Sequence, residues 1–273
     1  MSESPTVPVP GQFRDKVAVV TGGTQGLGEA TARLFARRGA AGIVVCGRSD
    51  RRGCLIADDL STASCRAVFV QADLARVEDC FHVIDVAERE FGRIDALVSC
   101  AASTDRGTIE DTTPELWDHI FAVNVRAPFF LLQRTVDVMR RHRIEGSIVN
   151  VISVASYGGA PYLTPYAASK GALVTLTRNT ANALLRDRIR VNGLNLGWMN
   201  TPGEHATQKR WHDVPDDWLE AAAAKQPFGR LIEPEEAARA IVFLASDESG
   251  LMTGSVVDFD QTVVGTTSGQ PGM

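Results

Sequence analysis

Seven short runs rich in Val, Ile and Leu, separated by longer stretches of helical pattern, limit the fold of this chain more than any other feature. They are KVAVVTG (16–22), GIVVCG (42–47), RAVFVQAD (66–73), IDALVSC (94–100), GSIVNVIS (146–153), IRVNGLNLG (189–197) and GSVVDFD (254–260). Each reads as a buried strand. Helical segments are expected over 27–38, 51–62, 77–90, 114–141, 165–186 and 234–245, the last opened by Pro234 with Glu235 and Glu236 in its first turn. Strand and helix in alternation predict βαβ units, hence an α/β fold: a doubly wound, seven-stranded parallel sheet with helices on both faces.

With 273 residues, 44% of them hydrophobic, the chain can bury a substantial core. The expected organisation is a flexible Pro-rich leader over 1–14 and one dinucleotide-binding and catalytic domain over 15–273. Regularity breaks once, over 198–230, which carries Trp, His and charge. A formal charge of −5, with Lys and Arg dispersed among Asp and Glu, leaves no basic footprint for nucleic acid. No stretch approaches the ~18 apolar residues of a membrane span, and the N-terminus lacks a signal pattern. The cysteines Cys46, Cys54, Cys65, Cys80 and Cys100 are odd in number and form no C-x-x-C pair. They point to a reducing, cytoplasmic setting. The five histidines show no metal-ligand spacing, so no metal is expected.

Directly after the first run comes TGGTQGLG (21–28), which opens the first helix. Glycines there permit a tight turn and close backbone approach, so that amides and the positive end of the helix can face a pyrophosphate. Downstream, TPYAASKGAL (164–173) sets Tyr166 one helical turn before Lys170. The other two tyrosines have no lysine at that spacing: Tyr157 is followed four later by Pro161, and Tyr162 by Tyr166. A phenol, with a pKa near about 10, needs a neighbouring cation to act as a base at neutral pH.

Gly22, Gly26 and Gly28, spaced G-x-x-x-G-x-G, together with the Y-x-x-x-K pair, resemble the single-domain short-chain dehydrogenase/reductase family. The resemblance runs from about Lys16 to Asp260 and implies a Rossmann-like fold and a nicotinamide cofactor. Its implied catalytic set is Asn124, Ser153, Tyr166 and Lys170. Tyr166 would exchange a proton with the alcohol oxygen as hydride is transferred, and Ser153 would hydrogen-bond that oxygen. Lys170 would lower the tyrosine pKa and hold the nicotinamide ribose, and Asn124 would position a water in a proton relay. Around the cofactor it places Gly22, Thr24, Gln25, Gly26, Leu27, Gly28, Arg48, Ser49, Asp73, Leu74, Cys100, Ala101, Tyr166, Lys170, Gly197, Met199 and Thr201, with Asp73 at the adenine and Thr201 at the carboxamide. The chain departs from the family pattern at Ser99-Cys100-Ala101-Ala102 for N-N-A-G, Leu196-Gly197 for P-G, and Asp258-Phe259-Asp260 for D-G-G.

Cofactor preference leans to NADP over NAD. Gly47 stands where NAD-preferring relatives carry an acidic residue, and Arg48 follows it; a guanidinium can grip a 2′-phosphate that a carboxylate would repel. The segment 198–230 is expected to form a substrate lid. Ser153, Trp198, Trp211 and His212 are the candidate substrate residues, and the mixture of indole and polar groups suits a sugar or polyol. The tryptophans could equally pack the lid onto the body. The leading expectation is therefore an NAD(P)-dependent oxidoreductase interconverting a secondary alcohol and a ketone, with a small-molecule alcohol or ketone as substrate. Alternatives are a ketoacyl or steroid reductase, a non-catalytic NADP-binding sensor, and a dehydratase or epimerase. The resemblance also implies a homo-oligomer, a tetramer built through the helices at 114–141 and 165–186 and the C-terminal strand. The tail VVGTTSGQPGM (263–273) would lie across a partner's active site or be disordered.

Overall fold

Because the strand runs are apolar at nearly every position, they can be covered on both faces, which is the condition for a wholly parallel sheet. A computed structural model describes residues 11–264. In chain order its elements are β1 (Val17–Thr21), α1 (Gly26–Arg37), β2 (Gly42–Gly47), α2 (Asp50–Leu60), β3 (Arg66–Gln71), α3 (Val77–Phe91), β4 (Ala96–Ser99), α4 (Pro114–Phe121), α5 (Ala127–His142), β5 (Ser147–Val151), α6 (Thr164–Ala183), β6 (Arg190–Leu196), α7 (Pro202–His212), α8 (Trp218–Ala223), α9 (Pro234–Ala245) and β7 (Val256–Phe259). The seven strands form one sheet in the order β3-β2-β1-β4-β5-β6-β7, every pair parallel.

The period of two along each strand divides the core. Ala18 and Val20 of β1, Ile43 and Val45 of β2, and Ala96 and Val98 of β4 join one apolar cluster with α1 and α9. Val19, Val44 and Leu97, one residue out of step, join the cluster on the opposite face with α3 and α5. Each of these side chains is fully buried, at about 1.5–3 kcal/mol apiece for a Val, Leu or Ile. The result is the doubly wound arrangement expected from the sequence. Strand order reverses between β1 and β4, and the crevice at their carboxyl ends is where such sheets take a ligand.

Three regions depart from the sequence expectation. The helix expected over 114–141 is α4 and α5 joined by a π-helical turn, Ala122–Arg126. The irregular segment 198–230 contains two helices: Thr201 accepts a hydrogen bond from the Glu204 amide, with Pro202 in the first turn, and a left-handed Asp213 (φ 46°) ends α7. Residues 11–14, assigned to the expected leader, form turns, and Phe13 is fully buried, its ring 4.5 Å from that of Phe35. The rest of the leader (1–10) and the tail from 265 lie outside the described residues.

Candidate active site

The glycine turn leaves β1 through positions that side chains would obstruct. Gly22 (φ +64°) and Gly26 (φ +53°) take left-handed conformations, and a Cβ on Gly28 would stand 2.3 Å from the Gly22 carbonyl oxygen. A Cβ on Gly22 would come within 3.0 Å of the Ala101 backbone, so the turn lies directly against the loop leaving β4. Thr24 approaches Gly47 closely enough that a Cβ there would be 2.9 Å from its hydroxyl, and Thr201 lies 3.5 Å from the position a Cβ on Gly26 would take. Gly22, Thr24, Gly26, Gly28, Ala101 and Thr201 thus line one crevice, a cradle of exposed backbone that side chains at the glycines would fill. Such a cradle at a helix N-terminus fits a dinucleotide pyrophosphate. Leu27 is buried beneath it.

Farther along the crevice, Arg48 and Ser49 are exposed beyond β2, and the Arg48 carbonyl accepts a hydrogen bond from Gln71 Nε2 at 3.2 Å. Arg52, in the first turn of α2, donates to the Gln25 side chain. Asp73 is exposed and accepts from the Ala75 amide at 3.1 Å, while Leu74 is buried. Gly197 follows β6 and lies against the Asp260 carboxylate, where a Cβ would overlap Asp260 Oδ1 at 1.8 Å. Met199 pairs with Ile232 in an isolated bridge. The D-F-D departure is therefore accommodated by the glycine of Leu196-Gly197.

Tyr166 and Lys170 stand near the start of α6. Lys170 is 2% exposed and donates to the Val151 carbonyl at 2.8 Å, which ties the helix to the end of β5. Its Nζ lies 5.6 Å from the centroid of the Tyr166 ring. Burial lowers the Lys170 pKa from 10.5 to about 8. Burial also raises the Tyr166 phenol above its ordinary 10.0; the Ser153 hydroxyl and the Arg106 guanidinium oppose that rise and Glu204 adds to it. Ser153 and Arg106 oppose the rise in the tyrosine pKa, and the Lys170 ammonium close to the ring donates to the Val151 carbonyl. Cys100, at the altered wall of the crevice, is pushed up to about 12 by burial, with Lys170 the nearby positive charge.

Ser153 follows β5 and accepts from the Ala155 amide at 3.2 Å, capping a short 3₁₀ turn. Asn124 lies in the π-helical turn at 1% exposure. It accepts from the Ser103 amide at 2.8 Å, donates to the Ser103 carbonyl at 3.0 Å, and donates to Ser169 Oγ at 3.0 Å. Ser169 in turn donates to the Tyr166 carbonyl at 2.7 Å. Asn124 therefore clasps the loop after β4 to the turn of α6 that carries Tyr166. A π turn offers backbone groups outside the regular ladder and is often found at functional sites.

The segment 198–230 is held together by its aromatics. Trp218 is 4% exposed, its ring centroid 5.9 Å from that of Trp198 and 4.9 Å from that of His205. Trp198 Nε1 donates to Glu204 at 2.8 Å. Those indoles pack α7, α8 and the chain leaving β6 against one another. Trp211 is 39% exposed beneath the Arg210 guanidinium, and the His212 ring meets Tyr162 edge-on at 5.3 Å. Arg106 has no motif around it that could have singled it out in the sequence. Its guanidinium donates to the Thr104 carbonyl at 2.7 Å and approaches His212 Nε2 at 3.5 Å and Glu204 Oε1 at 3.7 Å. Among the described residues no cluster of three or more metal-ligating side chains occurs, and no helix is long and apolar enough to cross a membrane.

The chain is similar to known proteins over nearly its whole length. A family model described as enoyl-(acyl carrier protein) reductase matches residues 22–262. The 3-oxoacyl-[acyl-carrier-protein] reductase FabG of Thermotoga maritima is 35% identical, over 93% of this chain and 99% of its own length. Cis-4-hydroxycyclohexanecarboxylate dehydrogenase of Sinomonas cyclohexanicum is 33% identical, over 91% and 96%. A solved structure titled short chain dehydrogenase/reductase family protein superposes with a TM-score of 0.78 at 33% identity, covering 92% of this chain and 97% of that one.

Proposed function

The chain belongs to the short-chain dehydrogenase/reductase family of oxidoreductases, and on that premise we propose that it interconverts a secondary alcohol and a ketone, with Tyr166 as the proton donor and acceptor. The observation that carries this reading is the clasp of Asn124, Ser169 and Tyr166, which brings the π turn, the loop after β4 and α6 together at one end of the crevice. A nicotinamide dinucleotide in that crevice would supply or take up the hydride. The glycine turn would hold its pyrophosphate through backbone amides. Tyr166 Oη would give its proton to a ketone oxygen, or take the alcohol proton in reverse. The Ser153 hydroxyl, which already favours the ionised phenol, would hydrogen-bond the same oxygen. Lys170, fixed to Val151 with its Nζ 5.6 Å from the centre of the phenol ring, would hold the nicotinamide ribose beside the tyrosine.

NADP is the favoured cofactor. Gly47 leaves no room for a carboxylate without displacing Thr24, and Arg48, Arg51 and Arg52 follow at once. The compact lid, with Trp198 and Trp218 committed to packing, suits a small ring alcohol better than a sugar stacked on indole. Similarity to the Sinomonas enzyme, named for a hydroxylated ring, supports the same class. Similarity to FabG favours a second reading, reduction of a 3-oxoacyl thioester. A homo-oligomer through α4, α5 and α6 is supported by exposed Trp117 and Phe129 beside a shallow depression of about 710 Å³ lined by Phe121, Val125, Phe129 and Leu176. The five cysteines are all free, which suits a reducing compartment such as the cytoplasm.

The test is nicotinamide absorbance against ring alcohols and ketones, polyols, steroids and 3-oxoacyl thioesters, each with NADP and NAD. Turnover of a ring alcohol with NADP is expected. Turnover confined to the thioesters would favour the second reading, and cofactor binding with no turnover of any alcohol or ketone would point to a sensor.

A further inference from the structure

Arg106 sits at the junction of the elements that carry the reaction. Three residues before it, Ser103 is gripped by Asn124 in both directions. One residue after it, Gly107 donates to the Tyr162 carbonyl at 3.1 Å and accepts from the Thr164 amide at 3.0 Å, just ahead of Tyr166. The Arg106 side chain is therefore suspended between the asparagine turn and the start of α6, its guanidinium 5.9 Å from the Tyr162 ring centroid. It is close enough for its charge to act on the Tyr166 phenol. Its side chain is only 11% exposed.

Arg106 is partly buried, and the protein satisfies only some of its donors; Nη2 is not sealed in the interior and is open to a ligand. Nη1 is bonded to Thr104, and Nε reaches His212 at the outer limit of a hydrogen bond. Among the described residues Nη2 has only Glu204 Oε1, at 3.7 Å, beyond hydrogen-bonding distance. Glu204 does not depend on it, because Oε1 already accepts from Trp198 Nε1 at 2.8 Å and Gln208 Nε2 at 2.7 Å. The carboxylate lies near enough to offset the charge and too far to satisfy the fork. A guanidinium with unused donors beside a proton-transfer group is suited to a planar anion.

We infer that Arg106 anchors a carboxylate on the substrate, so that the enzyme acts on secondary alcohols or ketones bearing a carboxylate. Glu204 faces the guanidinium from the lid side at 3.7 Å and competes with the substrate anion for its charge. This assignment rests on the alcohol–ketone reading above, and its test is separable from that reading because it uses binding.

Calorimetry of the NADP⁺-loaded protein with cyclohexanecarboxylate and with its neutral counterpart cyclohexanecarboxamide reads the preference directly. The wild type should bind the carboxylate at least tenfold more tightly. Arg106→Leu should abolish the preference and Arg106→Lys should keep part of it, since lysine retains the charge without the fork. Glu204→Gln removes the competing charge while preserving the shape, and should widen the preference several-fold; it carries the test if Arg106→Leu fails to fold. Equal binding of the two probes by the wild type, or a preference undiminished in both Arg106 variants, would overturn the assignment. Turnover of neutral ring alcohols with no carboxylate preference would overturn it while leaving the oxidoreductase reading intact. A carboxylate preference that depends on Arg106, in a chain whose turnover is indifferent to Tyr166→Phe, would uphold it and defeat that reading instead.

Discussion

Lys170 Nζ lies 5.6 Å from the centroid of the Tyr166 ring while donating to the Val151 carbonyl at 2.8 Å. The ammonium is thus fixed to the sheet rather than free to follow the phenol. Function at this spot is bought with stability, because a charge 2% exposed is costly to bury even with one hydrogen bond.

Lys170→Met should therefore stabilise the protein at neutral pH. Between pH 8 and 10.5 the unfolded chain retains a proton that folded Lys170, with a pKa near 8, has shed, so this residue's contribution to stability rises across that window. The difference corresponds to about 3 kcal/mol at 1.36 kcal/mol per pKa unit, less about 1 kcal/mol for the lost bond to Val151. Urea denaturation should show the variant about 2 kcal/mol more stable at pH 7, with the gain gone by pH 10.5. A gain independent of pH would mean that Lys170 is not held as a buried charge.

Asn124→Ala should cost about 3 kcal/mol. It strips partners from the buried Ser103 amide and carbonyl at once, and each such group left unpaired costs about 1–3 kcal/mol. The midpoint of urea unfolding measures the loss, and a change below about 1 kcal/mol would show that the clasp is not structural.

The sheet was legible because strands covered on both faces must be apolar throughout, and Val17–Thr21 or Ala96–Ser99 could hardly be read otherwise. The glycine turn and the Tyr166–Lys170 pair were legible because close backbone approach and helical spacing leave marks in local sequence. The π turn was not, since Ala122–Arg126 has an ordinary helical pattern and what distinguishes it is the bonding of Asn124 to a loop 21 residues earlier. The segment 198–230 looked irregular because the one buried residue of α7 is Gln208, which gives no apolar stripe to follow. Arg106 had no signal at all. Its importance comes from Ser103 and Gly107 being pinned on either side of it, a fact of tertiary structure.

Gly28→Ala should weaken cofactor binding more than tenfold, because the added Cβ would lie 2.3 Å from the Gly22 carbonyl and force the turn apart. Gly171→Ala, where the nearest atom is 3.7 Å away, is the matched control and should bind normally. Titration of nicotinamide fluorescence on both variants decides it; equal affinities would place the pyrophosphate elsewhere.

Arg48→Asp should lower the ratio of kcat/KM for NADP over NAD by at least tenfold, through loss of a phosphate partner and gain of a repelling charge. If the ratio does not move, Arg48 is not the selector, and Arg52, which reaches across to Gln25, becomes the next residue to test.

The most direct measurement compares turnover of wild type and Tyr166→Phe on the best alcohol or ketone found, with cofactor affinity measured on the same samples. Removing one hydroxyl leaves the ring in place and takes away only the proton-transferring atom. Turnover should fall by a factor of a hundred or more while cofactor affinity stays within about twofold, in line with the usual size of general acid–base catalysis. Undiminished turnover in Tyr166→Phe would contradict the assignment of this site as the seat of the reaction.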